Sequence, residues 1–296
     1  MSKRFVRRSF LYVPGSSERK IAKALHTAAD AIILDLEDAV SPMEKENARA
    51  LVLQWMDQMK ESNKEILVRV NALDTFLGIE DIIALADNPP HTIVVPKANV
   101  QIIQMMDLLL GGLEEKKGLE KGSIGLIPLL ETAAGIQDAV AIVGASSRVN
   151  GVQLGAEDLT KELGIPRTKE GDEIRFAREI VAYAACRYKV DSLDTPFTDI
   201  HDTEGLCKDT ETAKNIGFTG KTCIYPPHAE RVNEQFRPKA EDVASARQIV
   251  AAFEQARKEG KGACMFEGKM IDLPIVERAV GIIEKEEFIS QRVKGE

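Results

Sequence analysis

Ile124-Gly-Leu-Ile-Pro-Leu-Leu-Glu131 and Val152-Gln-Leu-Gly-Ala-Glu-Asp158 share one pattern: an apolar run that stops abruptly in carboxylates. Such runs suit strands of a parallel sheet, buried on both faces. An acid closing a hydrophobic strand has left the core and stands at that strand's mouth. Two such acids from separate strands could hold one divalent cation between them. The competing reading makes each a helix-capping or salt-bridged acid.

Working outward, the same type of run recurs along the chain. Phe10–Pro14, Ala31–Glu37, Ile66–Asn71 and Thr92–Lys97 precede the opening pair, and Ser192–Pro196 and Lys221–Pro226 follow it. Helical segments alternate with them. One begins near Glu18 after serines able to cap it, and another follows the N-cap signature Ser41-Pro-Met-Glu44 and runs to about Lys60. A third, rich in Ile, Met and Leu, runs to Leu110. Gly111–Gly122 reads as a charged loop or frayed helix end; further helices are expected near Ala133–Val143 and Asp172–Arg187. Eight strands alternating with helices predict an α/β fold, a (β/α)8 TIM barrel over residues 1–236. An open doubly wound sheet is the runner-up, but no G-x-G-x-x-G turn follows the first strand.

Residues 237–296 are not needed to close a barrel. They read as a long helix over Pro238–Lys258, a glycine-bounded segment Gly260–Asp272, and a last helix from Pro274 to about Phe288. This C-terminal helical and loop extension is expected to act as a lid over a site, its own or a neighbour's.

The 296 residues, 44% hydrophobic and 29% charged, can bury a core without disulfide staples. Cys186, Cys207, Cys223 and Cys264 show no paired spacing and read as reduced thiols of a cytoplasmic protein. The basic start Met1–Phe10 has no apolar stretch of the kind a signal peptide carries, and no window suits a membrane span. A net charge of −8 and a pI near 5.3 argue against a nucleic-acid surface.

In a barrel, catalytic groups gather at the C-terminal ends of the strands. Here those ends carry Glu37, Asp38, Arg69, Lys97, Glu131 and Asp158. Carboxylate oxygens suit a hard cation, and a set of only two favours Mg²⁺, which keeps several waters. Glu37 and Asp38 fit as acids holding metal waters or orienting a ligand, or else as acids favoured by the helix that follows. Gly155 and Ala156 could point backbone amides at a carboxylate as a helix begins. Arg69 offers a planar fork for a carboxylate or oxyanion, or a buried salt bridge. Lys97 fits a structural or electrostatic role better than a Schiff base. The four histidines share no ligand spacing, and Trp55 reads as core.

Leu11-Tyr-Val-Pro-Gly15, Leu34-Asp-Leu-Glu-Asp-Ala39, Val68-Arg-Val-Asn71, Pro128-Leu-Leu-Glu-Thr132 and Gly155-Ala-Glu-Asp-Leu159 resemble the citrate lyase β-subunit family. Malyl-CoA and citramalyl-CoA lyases are its relatives within the HpcH/HpaI aldolase superfamily. The resemblance continues through Gly217-Phe-Thr-Gly-Lys221 and Phe266–Pro274, and so spans essentially the whole chain. It implies a Mg²⁺-dependent barrel that cleaves a 3-hydroxyacyl-CoA thioester (citramalyl-, malyl- or citryl-CoA) to acetyl-CoA and a 2-oxo acid. Alternatives are the β subunit of a citrate lyase complex, acting on a citryl-acyl-carrier-protein thioester, and a malyl-CoA thioesterase.

Carried over residue by residue, Glu131 and Asp158 would be the metal ligands. Arg69 would be catalytic and hold a thioester or 2-oxo acid oxygen, and the Gly155 and Ala156 amides would hold the acid's carboxylate. Asp272 matches an aspartate that works as acid/base in a neighbouring subunit's site, so a homo-oligomer, trimer or hexamer, is expected. No nucleic-acid or membrane partner is. One position departs from the pattern: Ile224-Tyr-Pro226 stands where many relatives have Ile-His-Pro, which removes any role that histidine played.

Overall fold

In the computed structural model, residues 5–293 are described; Met1–Arg4 of the basic N-terminal reading and residues 294–296 lie outside them. The chain divides into two compact units, Met1–Phe236 and Arg237–Glu296.

The first unit is a closed barrel of eight parallel strands in sequential order. These are β1 Ser9–Pro14, β2 Ala31–Asp35, β3 Glu65–Arg69, β4 Thr92–Val95, β5 Gly125–Leu130, β6 Gly151–Leu154, β7 Asp191–Asp194 and β8 Gly220–Cys223. Pairing of Ser9–Leu11 with Lys221–Cys223 closes the ring. Helices return the chain between strands: α1 Glu18–Ala24, α2 Lys45–Lys60, α3 Phe76–Leu85, α4 Val100–Lys117, α5 Ala133–Gln137, α6 Ala139–Val143, α7 Ala156–Leu163, α8 Arg175–Tyr188 and α9 Thr203–Ile216; α10 His228–Phe236 follows β8. The barrel expectation stands, and the open-sheet alternative falls.

Strand alternation splits the core in two. Phe10, Ala31, Ile33, Leu67, Val94, Ile127, Leu129 and Leu193 fill the barrel interior. The intervening positions, among them Leu11, Ile32, Leu34, Val68 and Ile93, face the helices, where Trp55 also packs half-buried.

Local details depart from the sequence reading. Ser17 sits at the α1 N-cap without a side-chain bond. Gly111–Lys117 is helix, not loop, because Glu114 is wholly buried against Arg148, which grips it at 2.7 Å through both Nη atoms. Gly118, at φ +69°, then ends α4 in the left-handed region where glycine carries no steric penalty. The helix expected at Ala133–Val143 is broken at Asp138.

The second unit holds α11 Ala240–Lys258, an antiparallel hairpin of β9 Cys264–Phe266 and β10 Lys269–Ile271, and α12 Leu273–Val293. Phe253, Ile271 and Val276 form its small core. Arg237 pairs with Glu286 and Arg247 with Glu287, tying α12 back to the start of the unit. The glycine-bounded segment is thus a hairpin, turned at Glu267 and Gly268, both at positive φ. No helix among the described residues is long and apolar enough to cross a membrane.

Candidate active site

Two residues beyond the last interior apolar side chain of a strand, the same face reaches the barrel mouth. Ile33 is followed by Asp35, Leu67 by Arg69, Leu129 by Glu131 and Leu193 by Thr195. The period of the strand thereby collects polar groups from separate strands on one floor.

Arg69 lies beside Asp35 in the β2–β3 register. Its Nε donates to Asp35 Oδ1 and its Nη2 to Asp35 Oδ2, each at 2.7 Å. Asp35 also accepts the Glu37 and Ala39 amides, at 2.9 and 3.1 Å. Two of the guanidinium's three nitrogens are therefore committed. Nη1 remains, 3.2 Å from Glu37 Oε2 and 3.6 Å from Asp38 Oδ2. The salt-bridge reading of Arg69 is realised, and one edge of the fork is still presented to the mouth.

Beneath the guanidinium is the Tyr12 ring, 5.0 Å from Cζ. The Tyr12 hydroxyl is hydrogen-bonded to the Gln153 amide, 2.9 Å from Nε2 and 3.1 Å from Oε1. Burial pushes the phenol's pKa up, so Tyr12 stays neutral, a platform and not a base.

Glu131 is 3% exposed, and its Oε1 accepts the Lys97 amide at 2.8 Å. Lys97 reaches that geometry at φ +46°, a left-handed conformation costly for a non-glycine residue. Its ammonium stands 3.9 Å from Glu37 Oε1. Burial foremost, then the charges of Glu37 and Asp158, push the Glu131 carboxyl up to about 8 despite the Lys97 amide. Burial also pushes Glu37 up to about 7, against the pull of Arg69. Glu37 Oε2 is buried without a hydrogen bond. Asp158 is half-buried in the first turn of α7. The site thus gathers more negative charge than its cations relieve.

Among the described residues no three His, Cys, Asp or Glu side chains form a ready-made metal cluster. Glu131 and Asp158, with Glu37 Oε2 that has no partner beyond its ion pair with Arg69, suit a hard divalent cation that keeps most of its shell as water. The donor set fits Mg²⁺.

One expectation is corrected. The Gly155 amide donates to the Leu130 carbonyl at 2.9 Å as part of β5–β6 pairing and is not free to hold a carboxylate. What Gly155 supplies is space: a Cβ there would stand 2.6 Å from Glu131 Cβ and 3.0 Å from its Oε2. The Ala156 amide meets the Thr195 hydroxyl at 3.3 Å. Tyr225 lies beyond β8, its ring edge-on to His228 at 5.3 Å. In the second unit, Asp272 stands between β10 and α12 with Oδ1 buried and unbonded.

Tyr12, Asp35, Gln153 and Thr195 were not picked out as site residues from sequence. Inward strand parity finds all four: Tyr12, Asp35 and Thr195 share the face of barrel-interior residues, and Gln153 alternates with the helix-facing Val152 and Leu154.

A closed parallel (β/α)8 barrel with an arginine and several acids at its C-terminal mouth is the architecture of a barrel enzyme. The chain belongs to the HpcH/HpaI aldolase/citrate lyase family, whose model matches residues 8–226. It is 35% identical to the citrate lyase subunit beta of Haemophilus influenzae over 95% of this chain and 97% of that one. It is 34% identical to the (3S)-malyl-CoA thioesterase of Cereibacter sphaeroides, over 90% and 89%. The crystal structure of CitE from Mycobacterium tuberculosis in complex with magnesium, acetoacetate and coenzyme A superposes with a TM-score of 0.78 at 30% identity, over 95% of this chain and 98% of that one. The family read from the motifs is the family found.

Proposed function

We propose that this chain is a cytoplasmic, Mg²⁺-dependent carbon–carbon lyase that cleaves a 3-hydroxyacyl-CoA thioester to acetyl-CoA and a 2-oxo acid. The observation that carries this reading is the juxtaposition of under-compensated acids with Arg69 Nη1, which faces Glu37 and Asp38 at the barrel mouth. The CitE complex with magnesium, acetoacetate and coenzyme A supports both the cation and the thioester carrier.

In this reading Glu131 and Asp158 hold the metal, and Glu37 and Asp38 hold its waters. When bound, Mg²⁺ supplies a Lewis acid for the 2-oxo oxygen. The remaining work belongs to the chain's own groups. Arg69 Nη1 stabilises the oxygen that gains charge as the C–C bond breaks. The amides of Glu157 and Asp158 in the first turn of α7, beyond the Ala156 amide that donates to Thr195, hold the 2-oxo acid's carboxylate. The substrate's 3-hydroxyl gives up its proton to solvent as its oxygen becomes the 2-oxo oxygen, and Asp272 from a neighbouring copy then protonates the acetyl carbon of the released enolate, so the working protein is a homo-oligomer, a trimer or hexamer. The Arg237–Glu296 unit is then the lid that delivers it.

The test incubates purified protein and Mg²⁺ with malyl-, citramalyl- and citryl-CoA and resolves the products by mass. Acetyl-CoA together with glyoxylate, pyruvate or oxaloacetate is expected from one of them. The reading is overturned if none is consumed and acetyl-CoA condenses with none of those acids. Asp272→Ala is expected to abolish cleavage and retain metal binding. The 34% relative supports a second reading, hydrolysis of malyl-CoA, in which malate and free CoA appear instead. The 35% relative supports a third, a citrate lyase subunit that acts only on citryl-acyl-carrier protein.

A further inference from the structure

Lys221 ends the Gly217-Phe-Thr-Gly-Lys221 motif, which the proposed chemistry leaves without a task. Its side chain is wholly buried. Nζ donates to Asp194 Oδ2 at 2.5 Å, to Asp209 Oδ2 at 2.7 Å and to the Thr195 carbonyl at 2.6 Å. Arg178, equally buried, grips both oxygens of Asp194 at 2.9 Å and Asp209 Oδ1 at 2.6 Å. Burial would raise the Asp194 carboxyl, but Lys221 and Arg178 outweigh it and hold the group below its usual range. Two cations and two carboxylates are thus sealed between β7, β8 and the helices α8 and α9. Sealed ion sets add little net stability, because desolvation offsets much of their attraction; fixing a geometry is a better-attested use.

The geometry held here is that of Thr195. Its carbonyl is clamped by Lys221, and its side chain is 1% exposed. Its hydroxyl accepts the amide of Ala156, the first residue of α7. Asp158 lies two residues further along the same turn. We propose that Thr195, locked by the Lys221 cluster, is a positioning residue for Asp158. It sets where α7 begins and so where the Asp158 carboxylate meets the cation. This rests on the reading of Asp158 as a metal ligand.

The test strips the full-length protein of metal and titrates it with Mn²⁺, followed by electron paramagnetic resonance with Mg²⁺ competition; thermal unfolding of the metal-free forms is recorded alongside. Thr195→Val removes the hydroxyl at nearly constant volume, and Thr195→Ser keeps it. Thr195→Val is expected to weaken binding by about tenfold or more, the range seen for groups that orient metal ligands, with Thr195→Ser restoring most of the affinity. Asp158→Asn separates the two claims. If Asp158→Asn loses the metal while Thr195→Val binds like the parent, or Thr195→Ser falls with Thr195→Val, the positioning role is overturned and the metal reading stands. If Asp158→Asn itself binds like the parent, the metal reading is overturned and the inference goes with it.

Discussion

Arg69 and Asp35 meet edge to edge across two neighbouring strands, with both nitrogen-to-oxygen distances at 2.7 Å. Asp35 is 1% exposed, so its charge depends on that arginine for compensation. Arg69→Ala should destabilise the protein by about 3–5 kcal/mol, the loss expected when one partner of a buried pair is removed. Urea unfolding with unchanged m-value is the measurement. A loss below about 1 kcal/mol would place the pair with surface ion pairs.

The raised carboxyls fix the sign of a pH effect. Glu131 titrates near 8 in the folded chain, well above its ordinary range. A group so shifted holds more proton folded than unfolded, so its contribution to stability is full at acid pH and is lost as pH rises through about 8. The melting temperature of EDTA-treated protein should therefore fall as pH rises from about 6 to about 8 and level off above that. Added Mg²⁺ should raise the melting temperature more at the alkaline end, where the ligand needs no deprotonation. A flat profile without metal would contradict the burial of Glu131.

Tyr12 supplies a ring under Arg69 and a hydroxyl to Gln153. Tyr12→Phe keeps the ring, whereas Tyr12→Leu removes it. The leucine variant should lose about 1–2 kcal/mol of transition-state stabilisation, roughly 5- to 30-fold in kcat/KM, and the phenylalanine variant much less. Equal losses in both would assign the contribution to the Gln153 bond.

Gly155→Ala changes no charge, yet its methyl would stand 2.6 Å from Glu131 Cβ. Displacement of Glu131 should cost about 1–3 kcal/mol of stability and weaken Mg²⁺ binding in calorimetry. Binding equal to the parent protein would show that Glu131 moves without consequence for the metal.

The barrel, the family and the acids at the strand mouths are all legible in the chain before any contact is known. Apolar runs and the carboxylates that end them are local patterns, set by which residues tolerate burial on both strand faces. Glu131 and Arg69 were legible because a charge closing an apolar run marks the point where a strand leaves the core. How those groups are held depends on contacts between distant parts of the chain. Nothing along the chain joins Arg69 to Asp35, Lys221 to Thr195, or Tyr12 to Gln153, since the first two pairs meet through pairing of neighbouring strands and the third across the closed ring. The Gly155 amide was misread for the same reason: its partner, the Leu130 carbonyl, lies on the neighbouring strand, and strand pairing claims a backbone donor before any ligand can.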